Sequence, residues 1–155
     1  VTFTHLDAHG KAQMVNVTGK ATTARTAVAR CEVHMDNIAR GQLTSDGKAM
    51  DAIRIAGEMG ARHAARLIPL CHSLNLNESI VSISQSANGL RIYCTATLSG
   101  RTGVEMEALT GCSLAAMTAV AWCADHGIDS SIEGLTLVEK IGGKSGHWVN
   151  PIAID

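Results

Sequence analysis

At 155 residues the chain is long enough for one domain with its own core, residues 1–155, and nothing in its composition divides it. A formal charge of −1 removes any global electrostatic reason to expect nucleic acid or an anionic membrane as partner, so an anion site would have to be local. No uninterrupted apolar run approaches a bilayer span, and the opening residues lack the basic, apolar and cleavage segments of a secretory signal, which together predict a cytoplasmic protein.

In chain order, Val1 to Asp7 and Gln13 to Thr18 read as short extended segments joined by the His9-Gly10 turn. From Ala21 to Met35 the alanine content suits a helix, but Ala27, Ala29, Cys31, Val33 and Met35 alternate with Val28, Arg30, Glu32 and His34, which favours a strand. A turn or short helix follows around Asp36 to Leu43, and Thr44-Ser45-Asp46-Gly47 opens a helical pattern from about Ala49 to Leu67, with Pro69 beyond its end. Leu70-Cys71-His72 is then a loop. Glu78 to Ala87 and Leu90 to Leu98 flank Asn88-Gly89, a strong hairpin signal.

Residues 100 to 124 form a glycine turn opening onto a small-residue helix. Thr102 and Gly103 stand where an N-cap and its turn belong, and Glu105 and Glu107 fall in the first turn, where carboxylates oppose the helix dipole. Met106, Leu109, Ser113, Ala116, Met117, Val120 and Ala124 mark its period, and so little bulk elsewhere predicts contact with other backbones, including those of a second subunit. Gly127 is a C-cap, Leu135 to Lys140 a last strand, and Ile141 to Trp148 a glycine-rich basic loop over a site. The sum is an α+β fold in which two longer helices cover one face of an antiparallel sheet. Only 3% of the residues are aromatic, so the core rests on Val, Ile, Leu, Met and Ala.

Several apparent motifs carry no chemistry. Gly143-Lys144-Ser145 invites a phosphate-loop reading, but the required spacing places Val138 where a glycine must stand. The seven histidines form no helical metal pair, and the five cysteines contain no CxxC, so neither a metal site nor a disulfide framework is expected. Lys20, Arg25, Lys48, Arg54, Arg62, Arg66, Lys140 and Lys144 would bind a phosphorylated small molecule if several converged, although from the residues alone a solvated surface is the favoured account of them. His72 follows the helix exit, where a side chain can face a pocket, although taken alone it reads as a polar loop residue rather than a catalyst. Glu105 and Glu107 suit either acid–base work or simple helix-terminus stabilisation worth roughly 0.3–1 kcal/mol.

Six blocks taken together are more specific. Thr4-His5-Leu6-Asp7, Met14-Val15-Asn16-Val17, Arg54-Ile55-Ala56-Gly57, Leu67-Ile68-Pro69-Leu70-Cys71-His72, Gly103-Val104-Glu105-Met106-Glu107-Ala108-Leu109-Thr110 and Gly142-Gly143-Lys144-Ser145-Gly146 occur in order over nearly the whole chain. In this the sequence resembles the MoaC-type cyclic pyranopterin monophosphate synthases of molybdenum cofactor biosynthesis. The resemblance implies a ferredoxin-like subunit, a hexamer built from dimers with interfacial active sites, and no cofactor. The implied reaction is a lyase step converting 3′,8-cyclo-7,8-dihydro-GTP to cyclic pyranopterin monophosphate with release of pyrophosphate. Carried over by motif, Leu70, Cys71, His72, Met106, Glu107 and Glu105 are substrate contacts, and Lys20, Arg25, Arg62, Lys140 and Lys144 polar or phosphate-side contributors.

The departures fall on the family's catalytic positions. Its Asp-Met-Cys-Lys appears as Ala121-Trp122-Cys123-Ala124, and its Lys-Gly-Asp as Asp46-Gly47-Lys48, leaving Lys48 as a substitute from two residues away. Asn16 and Ser73 replace an aspartate and a proline. Three readings follow: an enzyme with a rearranged acid–base set drawn from Lys48, Glu107 or Asp125, a noncatalytic pterin or nucleotide binder, or a subunit that assembles with an active paralogue.

Overall fold

The computed structural model describes residues 3–153. Strand β1 (Thr23–His34) is followed by helices α1 (Asn37–Ser45), α2 (Gly47–Arg62) and the single turn α3 (Ala64–Leu67). The chain continues through β2 (Glu78–Ser86), β3 (Gly89–Gly100), α4 (Glu105–Asp125), β4 (Ser131–Ile141) and β5 (His147–Val149). The five strands form one antiparallel sheet in the order β2-β3-β1-β4-β5, a ferredoxin-like α+β arrangement as expected.

The alternation read over residues 21–35 settles β1 at the centre of that sheet. Ala27, Ala29, Cys31 and Val33 are fully buried, whereas Val28, Arg30, Glu32 and His34 stay half-buried on the opposite face. The small side chains let α4 lie close: the Cys112 and Cys31 sulfurs are 3.3 Å apart across the sheet–helix contact. Gly89 closes the β2–β3 hairpin at φ +149°, against Val33 of β1.

The helices α2 and α4 meet backbone to backbone. A Cβ on Gly57 would stand 2.9 Å from the Gly111 carbonyl oxygen, and one on Gly111 would stand 2.8 Å from that of Gly57. The expected close approach to another backbone is therefore met inside this one chain.

Several sequence expectations are corrected. The expected stripe of α4 is not its buried face: of Met106, Leu109, Ser113, Ala116, Met117, Val120 and Ala124, only Ala116 is buried. The core takes Ala108, Gly111, Cys112, Ala115, Ala119 and Cys123 instead, because the short distance to the sheet and α2 selects small residues. Neither Thr102 nor Gly103 caps α4; the cap position is Val104, with no side-chain bond. The long helix ends at Arg62, where His63 leaves helical geometry before α3, and Asp46 caps its start by accepting from the Ala49 N–H. Of the N-terminal extended segments, the described residues form only the isolated bridge Leu6↔Ala12, and Val1 lies outside them. The glycine-rich tail is a β-hairpin rather than a loop, with Glu139, Lys140 and Ile141 paired to Val149, Trp148 and His147. Gly127, at φ +68°, stands one residue past the C-cap His126. Finally, α4 is long and apolar enough to cross a membrane by length and composition, which continuous runs did not reveal; it lies packed on the sheet, with half of its apolar window buried.

Candidate functional site

At the N-terminal end of α4 a cleft of about 290 Å³ opens between the helix start, the loop after α3 and the arm that precedes β1. Its walls bring together Lys20, Arg25, Leu70, Cys71, His72, Glu105, Met106 and Glu107, which are dispersed over 88 positions of sequence. A neighbouring cavity of about 680 Å³ shares Lys20 and Arg25 and adds Lys144 from the β4–β5 turn. That turn approaches closely because it is glycine: Gly142 and Gly143 adopt φ of +102° and +72°, and a side chain on Gly143 would collide with the Arg25 guanidinium.

Local geometry orients the loop residues. Leu70 has φ +60°, the one non-glycine residue with positive φ among the described residues. A leucine in this region carries roughly 1–3 kcal/mol of strain, held by the surrounding fold where Cys71 and His72 enter the cleft. His72 Nε2 lies 2.8 Å from the Val15 carbonyl oxygen. A carbonyl only accepts, so Nε2 carries the hydrogen and the neutral ring keeps Nδ1 as an acceptor. The same bond fastens the N-terminal arm across the cleft.

The two carboxylates differ. Glu107 is 4% exposed, and burial, the largest influence, raises its pKa although its own backbone N–H and the Cys71 thiol favour the anion. Cys71 Sγ lies 3.5 Å from Glu107 Oε1, and burial first, then the Glu107 charge, pushes the thiol up to about 12. Cys71 is thus a thiol that donates to a carboxylate, not a ready nucleophile. Glu105 is half-exposed and lies 3.6 Å from Lys140 Nζ. The cleft and the cavity beside it can together hold an anionic group at Lys20, Arg25 and Lys144 and exchange protons at His72 and Glu107.

The remaining candidates lie elsewhere. Lys140 reaches the cleft only through its ion pair with Glu105. Arg62 donates to the Leu76 carbonyl at 3.1 Å and does not line the cleft, so it ties the end of α2 to the segment before β2. Ala121 and Ala124 are exposed near the far end of α4, a 21-residue helix that is about 30 Å long. Asp46 is there too, bonded to the Ala49 N–H at 3.0 Å and the Trp122 indole N–H at 3.3 Å. These bonds lower its pKa, the backbone one most. Lys48, in the first turn of α2, belongs to the same end. A third cavity, at the other end of β1 and lined by His34, Asp36 and Asp129 among others, contains no lysine or arginine.

The cleft also includes residues to which sequence reasoning gave no site role: His5, Val15, Val17, Leu74, Arg101 and Thr102. His5, Val15 and Val17 stood in blocks of the resemblance, and Thr102 was read as a helix cap. The contacts that place them run between distant segments, for which local periodicity offers no signal.

Comparison with known proteins points to one family. Residues 14–143 match the model of the MoaC family. The cyclic pyranopterin monophosphate synthase of Chloroflexus aggregans is 43% identical over 152 residues, covering 94% of this chain and 92% of the relative. That of Novosphingobium aromaticivorans is 46% identical, with 94% and 96% covered, and that of Bordetella avium 45%, with 96% of each covered. At such identity over such length, with 130 residues inside one family model, the chain belongs to the MoaC family.

Proposed function

We propose that this chain is a cytoplasmic, single-domain member of molybdenum cofactor biosynthesis that takes 3′,8-cyclo-7,8-dihydro-GTP and forms cyclic pyranopterin monophosphate with release of pyrophosphate. The observation that carries the reading is the convergence of Lys20, Arg25, Leu70, Cys71, His72, Met106 and Glu107 on one cleft beside Lys144. As a cyclic phosphate closes, the leaving pyrophosphate carries charge that Lys20, Arg25 and Lys144 are suited to neutralise. His72, with Nδ1 free to accept, and Glu107, with its raised proton affinity, serve proton transfer at the pterin and ribose. The site works as an interface between two chains of a hexamer built from dimers, with no cofactor. Incubating the purified chain with the cyclised dihydro-GTP should release pyrophosphate and product; no product above a buffer control would overturn the reading.

A second reading has its own observation. Asp46 is committed to the α2 cap and the Trp122 indole, while Ala121 and Ala124 offer neither proton nor charge. The loss of one proton-transfer group costs about 10²–10⁴ in rate. This favours a chain that binds the phosphorylated pterin or nucleotide without turning it over, or that completes an active paralogue. Calorimetry showing tight binding without product supports the binder, and recovery of mixed oligomers on co-expression supports the partner subunit.

A further inference from the structure

Four side-chain nitrogen or oxygen atoms are buried without a hydrogen-bond partner among the described residues: His5 Nδ1, Thr23 Oγ1, Arg25 Nε and Thr102 Oγ1. They are not scattered. His5, Arg25 and Thr102 line the cleft, and Thr23 with Arg25 lines the cavity beside it. Buried polar atoms in folded chains are nearly always paired, so orphans gathered on two adjoining walls point to a ligand that supplies the partners.

The two walls suit different chemistry. The second cavity presents Lys20, Arg25 and Lys144 and no carboxylate. The cleft shares Lys20 and Arg25 and adds Arg101, but it also carries Leu70, Leu74 and two glutamates that offset this charge, a setting for a polar ring. Thr102 directly precedes the Gly103-Val104 entry to α4, yet its hydroxyl caps nothing. His5 is positioned although its arm forms no strand: its carbonyl accepts from the Gln13 N–H at 2.8 Å, and its ring packs on Phe3 at 5.1 Å between centroids.

We propose that His5 and Thr102 are specificity-determining residues that hydrogen-bond the ring of a nitrogen heterocycle in the cleft, while Thr23 joins Arg25 on the oxygens of its phosphate chain. These residues line the cavities, so a χ1 turn of either threonine or a ring flip of His5 would bring the orphaned atom to the ligand. The proposal rests on the reading that the cleft takes a phosphorylated pterin or nucleotide, and adds which residues sort ring from phosphate.

Calorimetry on the full chain with two probes, GTP and inorganic tripolyphosphate, tests it. Thr102→Val and His5→Phe should each weaken GTP about three- to tenfold, the worth of a neutral hydrogen bond, and leave tripolyphosphate unchanged. Thr23→Val should weaken both alike, and Thr102→Ser, which keeps the hydroxyl, should bind as the parent does. Parent-like GTP binding in Thr102→Val and His5→Phe, or equal loss of both probes, would overturn the assignment. So would a loss in Thr102→Ser equal to that in Thr102→Val, since packing would then be the cause. A parent chain that binds tripolyphosphate but not GTP overturns the ring assignment alone, and one that binds neither overturns the proposed function as well. GTP binding with the expected variant pattern, but no turnover of the cyclised dihydro-GTP, upholds these residues and removes only the reaction.

Discussion

Burial raises the proton affinity of both Glu107 and Glu32, but only at Glu32 do the hydrogen-bond partners outweigh it. Glu107 binds its proton more tightly folded than unfolded, chiefly through burial. Its contribution is therefore present at low pH and lost as pH rises past the ordinary carboxylate range through its raised folded value. Glu107→Gln should melt above the parent at about pH 8 and converge with it by about pH 4; a gap that does not change with pH would contradict the assignment. If His72 and Glu107 move protons, the same variant should lose about 10²–10⁴ in turnover. Glu32 is the reverse case: burial alone would raise it, but the Ser86 hydroxyl and Arg91 guanidinium, each at 2.7 Å, bring it below its ordinary value. That stability is present above the carboxylate range and fades as pH falls through the lowered folded value. In urea titrations at stepped pH, the parent's advantage over Glu32→Gln should shrink toward acid. Neither shift was legible in sequence, because both depend on partners or burial set by other elements.

At the scale of elements, the crossing of α2 and α4 is the most restrictive contact. An alanine at position 111 gains up to about 1 kcal/mol in helix preference, but its methyl meets the Gly57 carbonyl at 2.8 Å, and backbone cannot step aside cheaply. The clash should win: Gly111→Ala is expected to lose about 1–2 kcal/mol net, a fall of about 2–4 °C per kcal/mol in melting temperature for a chain of this size. An unchanged or higher melting point would show that the helices have room. The β4–β5 turn makes a parallel case for function. Gly143→Ala places a methyl on the Arg25 guanidinium in a backbone region that disfavours it, so tripolyphosphate binding should weaken at least tenfold, by about 1.4 kcal/mol or more. Strand alternation in β1 and the Asn88-Gly89 hairpin were legible because they are local. The inward face of α4 was not, since a helix with alanine and cysteine on several sides has no single apolar stripe and its neighbours decide which side goes in.

For the whole molecule, the decisive fact is the distance along α4 between the cleft and the substituted positions. Glu105 and Glu107 stand at its start, and Ala121 and Ala124 near its end; at 1.5 Å per residue the two groups are roughly 25 Å apart, too far to serve one substrate within a chain. Under the proposed interfacial site, Ala121→Asp with Ala124→Lys, with or without Asp46→Lys, should raise turnover of the cyclised dihydro-GTP. Adding His72→Ala to that variant should silence it, and mixing the resulting chain with the parent should give active mixed oligomers, since one chain then supplies His72 and the other the restored aspartate and lysine. Turnover that stays at the parent level in every combination would rule out this route to activity.

Sequence alone determined the class of fold, the central strand, the hairpin and, through six ordered blocks, the family. Those features live in local period and local motif, which a linear reading retains. The blocks also marked residues 70–72 and 105–107 as one site before any geometry joined them. Only the tertiary structure decided which cations share that site, placing Lys20 and Arg25 on the cleft, Lys144 beside it, Lys140 behind Glu105 and Arg62 away from it. It alone drew Thr102 away from the helix cap and brought His5 to the same wall. Convergence of distant segments depends on how α4 packs on the sheet, and that packing follows from the small side chains of three elements at once.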